Sequence, residues 1–185
     1  NISSIRDEEQ LFKFILNAAL EHTQAKRGSI LMVTEDGKSL KLIASVGLPE
    51  ELNGKVIPLN SSTISGMVAQ NIEPLLIEDI NQTPGLKECL LGLKNNSFIS
   101  VPLQSKKSEF MESHPLAING QDVIAVLNIT DKSGDEAFSE TDLKVLRIIA
   151  NHGAAAIENA RLINEIDSTQ REIVFTLGEI VETRS

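Results

Sequence analysis

Apolar residues fall into two periods along this chain. Leu11, Phe12, Ile15, Leu16, Ala19 and Leu20 recur at spacings of three and four, which predicts an amphipathic helix over residues 7–24. Asp7, Glu8 and Glu9 then occupy its first turn, where negative charge suits the helix dipole. Past Gly28 the period shortens. Residues 29–33 and 40–45 read as strands, and Glu35-Asp36-Gly37-Lys38 between them has turn chemistry, so the pair predicts a hairpin ended by Gly47-Leu48-Pro49. Residues 56–59 are extended. Asn60, Ser61, Ser62 and Thr63 offer capping side chains to a short helix over 64–70. Residues 74–77 form a further strand, and Thr83-Pro84-Gly85 opens a second short helix carrying Leu86, Cys89, Leu90 and Leu93.

Two more strands follow, over 98–103 and 123–129. The second is almost continuous in apolar and β-branched residues, as a strand covered on both faces requires. Between them, 104–121 is polar, with Leu116-Ala117-Ile118 running into an Asn119-Gly120 turn. From Ser139, with Asp142 in a capping-box position, a proline-free helix runs to the end of the chain. At 1.5 Å per residue its roughly 45 residues span about 65 Å, too long to stay within one globule. Its second half places Ile163, Ile166, Gln170, Ile173, Leu177 and Ile180 at alternating spacings of three and four, flanked by Glu165, Asp167, Arg171, Glu172 and Glu179. That is a heptad seam in which Gln170 fixes the register, and it predicts a homodimer. The element order gives an α+β sandwich: a mainly antiparallel central sheet flanked by helices, with a long C-terminal helix.

Composition narrows the classes. The chain has 185 residues, enough for one domain with a helical extension, and a formal net charge of -9. Basic residues are few and scattered, which disfavours a nucleic-acid surface. Trp and Tyr are absent, so stacking platforms for bases are nearly missing. Cys89 is the single cysteine, which excludes an internal disulfide and a cysteine metal cluster and fits a cytoplasmic compartment. No apolar run approaches membrane-spanning length, so no membrane contact is expected in this segment. The chain begins at Asn1 and ends in mid-helix at Ser185, which reads as a piece of a longer protein.

An ordered set of short motifs resembles the GAF family. It comprises Leu48-Pro49, Ile57-Pro58-Leu59, Gly66-Met67-Val68-Ala69, Ile77-Glu78-Asp79, Ser100-Val101-Pro102-Leu103, Ala125-Val126-Leu127-Asn128, Phe138-Ser139-Glu140-Thr141-Asp142 and the Ala-rich stretch from Ala154 to Ala160, covering about residues 7–165. Residues 172–185 resemble the first helix of an HD-GYP phosphohydrolase domain, whose metal motifs would lie beyond Ser185. The resemblance divides the chain into an N-terminal dimerisation helix (1–26), a GAF domain (27–165) and a coiled-coil linker with the start of a downstream domain (166–185). It implies a bacterial signalling protein in which a small-molecule sensor controls a cyclic-di-GMP phosphodiesterase in the same chain.

The resemblance also implies a ligand pocket between the sheet and the small helices, for a cyclic nucleotide or other small ligand. Its walls would include Ser29, Leu31, Ile64, Ser65, Gly66, Met67, Asp79, Ile99, Val101 and Leu127. The same apolar residues equally describe a filled core. Cyclic-nucleotide-binding relatives carry an Asn-Lys…Phe-x-x-x-Asp-Glu signature; here Asp131, Lys132, Phe138 and Asp142 occupy it, with Asp for Asn and Leu143 for Glu. Lys132 and Asp142 either serve a ligand or pin the strand-to-helix junction while Phe138 plugs the core. Phytochrome-like relatives place a His after the chromophore cysteine, whereas Leu90 follows Cys89. His22, His114 and His152 lack ligand spacing, so no metal is expected. Catalytic motifs are missing, and a reductase of this fold would need more than one cysteine. Three functions remain in order: a regulatory sensor that dimerises, a ligand-free dimeriser, and a stand-alone reductase.

Overall fold

The computed structural model describes residues 2–82, 97–105 and 123–184. The expected second short helix with Cys89, and residues 106–122 with His114, lie outside the described residues. The first helix, α1 (Ile2–Thr23), starts ahead of the periodic stretch, so Asp7, Glu8 and Glu9 fall beyond its first turn instead of inside it. Its apolar stripe of Phe12, Ile15, Leu16, Ala19 and Leu20 is buried. Gln24, in the left-handed region at φ 58°, breaks the helix.

The chain then enters β1 (Ala25–Val33), which takes in Gly28 as a strand residue and not as the punctuation ahead of the strand. A Cβ at Gly28 would stand 2.8 Å from the Asn128 carbonyl oxygen and 2.9 Å from Leu16 Cδ1, so glycine is what lets α1 lie close on the sheet. Because β1 begins at Ala25, the sheet starts inside the segment assigned to the N-terminal helix. The Asp36-Gly37 turn follows, with Gly37 at φ 70° and the Lys38 N–H donating to Asp36 Oδ1 at 3.0 Å. It returns the chain as β2 (Ser39–Val46) and then β3 (Val56–Pro58). Next comes α2 (Ile64–Asn71), whose Gly66 N–H donates to the Thr63 hydroxyl at 3.0 Å, closing the N-cap. Then come β4 (Leu75–Ile77), β5 (Phe98–Gln104) and β6 (Val123–Lys132). The final helix α3 (Glu140–Arg184) is one element of 45 residues.

The strands form one six-stranded sheet in the order β3-β2-β1-β6-β5-β4. Every neighbouring pair is antiparallel. Side-chain alternation gives the sheet two apolar faces. Ile30, Ile99, Val101, Leu103, Ala125, Leu127 and Ile129 pack against α1 and α3. Leu31, Leu40, Leu42, Phe98 and Val126 pack against Ile64, Val68 and Ala69 of α2. Fully burying one such large side chain stabilises the fold by about 1.5–3 kcal/mol.

Helices α1 and α3 also pack on each other. A Cβ at Gly153 would come 2.9 Å from Ile15 Cδ1, so this small residue of α3 serves the contact with α1. Arg161 Nη2 donates to Glu8 Oε1 at 2.6 Å across the same pair of helices. Ile157 is the last fully buried residue described on α3, and past the Arg161–Glu8 pair the described helix is largely exposed. No described helix is long and apolar enough to cross a membrane.

Candidate functional site

Strand register assembles a polar row on the α2 face. Ser29 of β1 stands opposite Ser45 of β2 and Asn128 of β6, and Asn128 stands opposite Ser100 of β5. Residues directly opposite in an antiparallel ladder share a face, so the four form one line across the sheet. From above, α2 contributes Ser65: Asn128 Nδ2 donates to Ser65 Oγ at 2.9 Å and to Ser29 Oγ at 3.3 Å. Ser100 is wholly buried, and its Oγ has no hydrogen-bond partner. Buried hydroxyls rarely stay unbonded, because desolvation is then uncompensated.

The residues expected to line the pocket divide between the two faces. Ser29, Leu31, Ile64, Ser65 and Gly66 lie on the α2 side, with Met67 half-buried on α2 itself. Asp79 is half-buried just after β4, where its Oδ1 accepts the Asn81 N–H at 2.9 Å in a turn. Ile99, Val101 and Leu127 do not join them. They belong to the core under α1 and α3, because a strand sends successive side chains to opposite faces and their neighbours Phe98, Ser100 and Asn128 take the α2 side. Ser100 and Asn128 are therefore the residues of this polar row that the sequence reading passed over. The available signal was a polar residue interrupting each of two apolar strands.

The signature positions meet at the junction of β6 and α3. Lys132 Nζ lies 2.6 Å from Asp142 Oδ2, with the side chains 12% and 13% exposed. It also stands 5.8 Å from the centre of the Phe138 ring, and Phe138 is buried. Asp142 closes a capping box as well, accepting from the Ser139 N–H at 3.0 Å while its own N–H donates to Ser139 Oγ at 3.3 Å. Asp131 turns away from this group. At φ 56° it is left-handed, and its carboxylate pairs with Arg27 at 3.4 Å, while Arg27 Nε donates to the Gly47 carbonyl at 3.1 Å. Ser97 joins the junction to the sheet: its hydroxyl donates to the Ile77 carbonyl and accepts the Phe138 N–H, each at 2.9 Å.

Beyond the globule, α3 presents Ile163, Ile166, Ile173 and Leu177 to solvent at 54–59% exposure, with Gln170 exposed on the same stretch. Ile180 lies on the helix, its side chain outside the described residues. His22 and His152 are exposed, and no group of three or more His, Cys, Asp or Glu among the described residues is placed to hold a metal ion.

A six-stranded antiparallel sheet thus lies between a helix pair and a small helix, with a polar row beneath the small helix, in an α+β domain. The GAF domain family matches residues 7–157, and the chain belongs to that family. Solved structures of the same fold include a methyl-accepting chemotaxis protein (residues 122 to 287), at TM-score 0.67 and 19% identity, covering 84% of this chain and 92% of that one. The GAF domain of an Acinetobacter phosphoenolpyruvate-protein phosphotransferase is similar at TM-score 0.61 and 21% identity, with 88% and 95% covered. The blue-light absorbing form of the Thermosynechococcus elongatus PixJ GAF domain is similar at TM-score 0.66 and 16% identity, with 93% and 97% covered. No curated protein sequence matches the chain significantly.

Proposed function

We propose that this GAF domain is the small-molecule-sensing and dimerisation module of a bacterial, cytoplasmic signal-transduction protein. The observation that carries the reading is the continuity of α3. A single helix begins at the Lys132–Asp142 junction, packs on the sheet as far as Ile157, and continues into an exposed heptad seam. An occupant over the polar row, bonded to β5 and β6, would bias the start of that helix through Ser97 and Phe138. Two copies joined along Ile163, Ile166, Gln170, Ile173, Leu177 and Ile180 would pass the bias onward as a change in helix packing. The chemotaxis protein, phosphotransferase and photoreceptor among the similar structures support a sensory role.

The resemblance of residues 172–185 to the start of an HD-GYP domain supports a cyclic-di-GMP phosphodiesterase as the output. In this reading the domain performs no catalysis itself. A second reading, a dimeriser without a ligand, is favoured by the apolar cluster that fills much of the α2 side. Thermal-shift titration against cyclic AMP, cyclic GMP, cyclic-di-GMP and small metabolites separates the two. A ligand at a hundred times its Kd adds about 2.7 kcal/mol to stability and raises Tm saturably. A flat response across the panel transfers the assignment to the dimeriser.

A further inference from the structure

We infer that a second copy of this chain docks on the globular part of α3 as well as on its projecting end, along one parallel seam that starts at Val145; this deepens the dimerisation reading above and rests on it. Counted back from Ile163 in steps of four and three, the seam continues through Asn159, Ala156, His152, Ile149 and Val145. Because α3 is a single helix from Glu140 to Arg184, no break resets that phase. None of the five is buried. His152 and Asn159 are exposed and Val145, Ile149 and Ala156 half-buried, while Leu146, Ala150, Ala154 and Ile157 on the same turns are buried. Helix α1 lies to one side, with Ile15 against Gly153, and leaves His152 and Asn159 open.

The character of the seam makes a second copy the occupant. None of its eleven positions from Val145 to Ile180 carries Asp, Glu, Lys or Arg, in a chain that is 23% charged. From Ile163 alone it spans about two and a half heptads; from Val145 it spans about five, beyond the roughly three to four that mark a coiled coil. Ile148 and Leu162, 58% and 36% exposed, stand one position before Ile149 and Ile163 and widen the apolar strip on the flank opposite Gly153. In heptad letters Val145, His152 and Asn159 are d positions with Ile166 and Ile173, and Ile149 and Ala156 are a positions with Ile163. Parallel self-pairing sets each d residue against its own counterpart, so Asn159 meets Asn159 amide to amide and His152 meets His152. Antiparallel pairing sets d against a, and His152 and Asn159 would then face residues such as Ile149, Ala156 and Ile163, which leaves polar groups without partners.

Disulfide scanning of the 185-residue chain, with its single cysteine replaced by Cys89→Ser, tests this. His152→Cys, Asn159→Cys and Ile173→Cys, each made alone and oxidised with diamide, should form symmetric cross-links in non-reducing gels, since a parallel seam brings like residues within disulfide reach. Asn151→Cys, exposed and about 100° round the helix from His152, should not. In the chain without added cysteines, His152→Leu should tighten the dimer about tenfold in sedimentation equilibrium, because a polar seam residue costs stability. A cross-link at Ile173 with silence at His152 confines the interface to the projecting end, which overturns the inference and leaves the dimer standing. Silence at all three positions removes the dimer reading along with it. An Asn151→Cys link as strong as that of His152→Cys overturns the placement of the seam. Unchanged dimer affinity in His152→Leu puts the imidazole outside the contact and overturns the inference as well.

Discussion

Lys132 Nζ lies 2.6 Å from Asp142 Oδ2, tying the last residue of β6 to the first turn of α3. The pair is mostly buried, and Asp142 is also the residue that accepts the Ser139 N–H. A charge-assisted bond of this kind contributes about 1.5–3 kcal/mol. Lys132→Ala should lower stability by that order in urea denaturation while sedimentation shows dimerisation unaltered. Loss of the dimer in this variant would give the junction a different role from the one assigned to it.

Ser97 makes two bonds with one hydroxyl, to the Ile77 carbonyl and from the Phe138 N–H. Ser97→Ala leaves both partners without that hydroxyl in a buried setting, at a cost of about 1–3 kcal/mol. Hydrogen exchange at the Phe138 amide should accelerate beyond what global destabilisation explains. Unchanged relative protection at that amide would show that Ser97 does not hold the helix start.

The exposed seam on α3 is the feature on which the proposed dimer rests. Ile166 and Ile173 are 55% and 54% exposed in the single chain. Ile166→Glu combined with Ile173→Glu should convert a dimer to a folded monomer in analytical ultracentrifugation, with the sheet intact by circular dichroism. A wild-type chain that sediments as a monomer at high concentration removes the heptad argument.

Asp36 sits in the hairpin turn, where the Thr34 hydroxyl, then the Lys38 backbone N–H, hold its carboxyl below the ordinary value of 3.8. A depressed carboxylate adds stability that is present above its unfolded pKa and is lost as the pH falls through the lowered folded value. Thr34→Val should therefore move the Asp36 titration back toward 3.8, read by carboxyl NMR. An unmoved titration would shift the cause from the hydroxyl to the backbone.

Much of this was legible in the residues. The three-and-four stripe of α1, the Asp36-Gly37 hairpin, the apolar β6 and the Ser139 and Asp142 cap are local patterns, and local patterns survive into the fold. The bounds of α1 were less legible: the helix begins at Ile2, ahead of its periodic core, where Ile5 is exposed and no burial pattern marks the start. The expected pocket walls grouped Ile99, Val101 and Leu127 with residues of the opposite face for a definite reason: in a strand covered on both sides, hydrophobicity does not tell one face from the other.

Among the described residues, the sequence by itself determined most of the elements, the α+β class and the family, because each depends on spacing within a few residues or on the order of short motifs. Only the tertiary structure decided that Ser29, Asn128 and Ser100 share one line, that Arg27 is bound to Asp131, and that Gly153 meets Ile15. Those relations join residues far apart in the chain. They are fixed by strand register and helix contact, and a one-residue slip in register would send every one of those strand side chains to the other face.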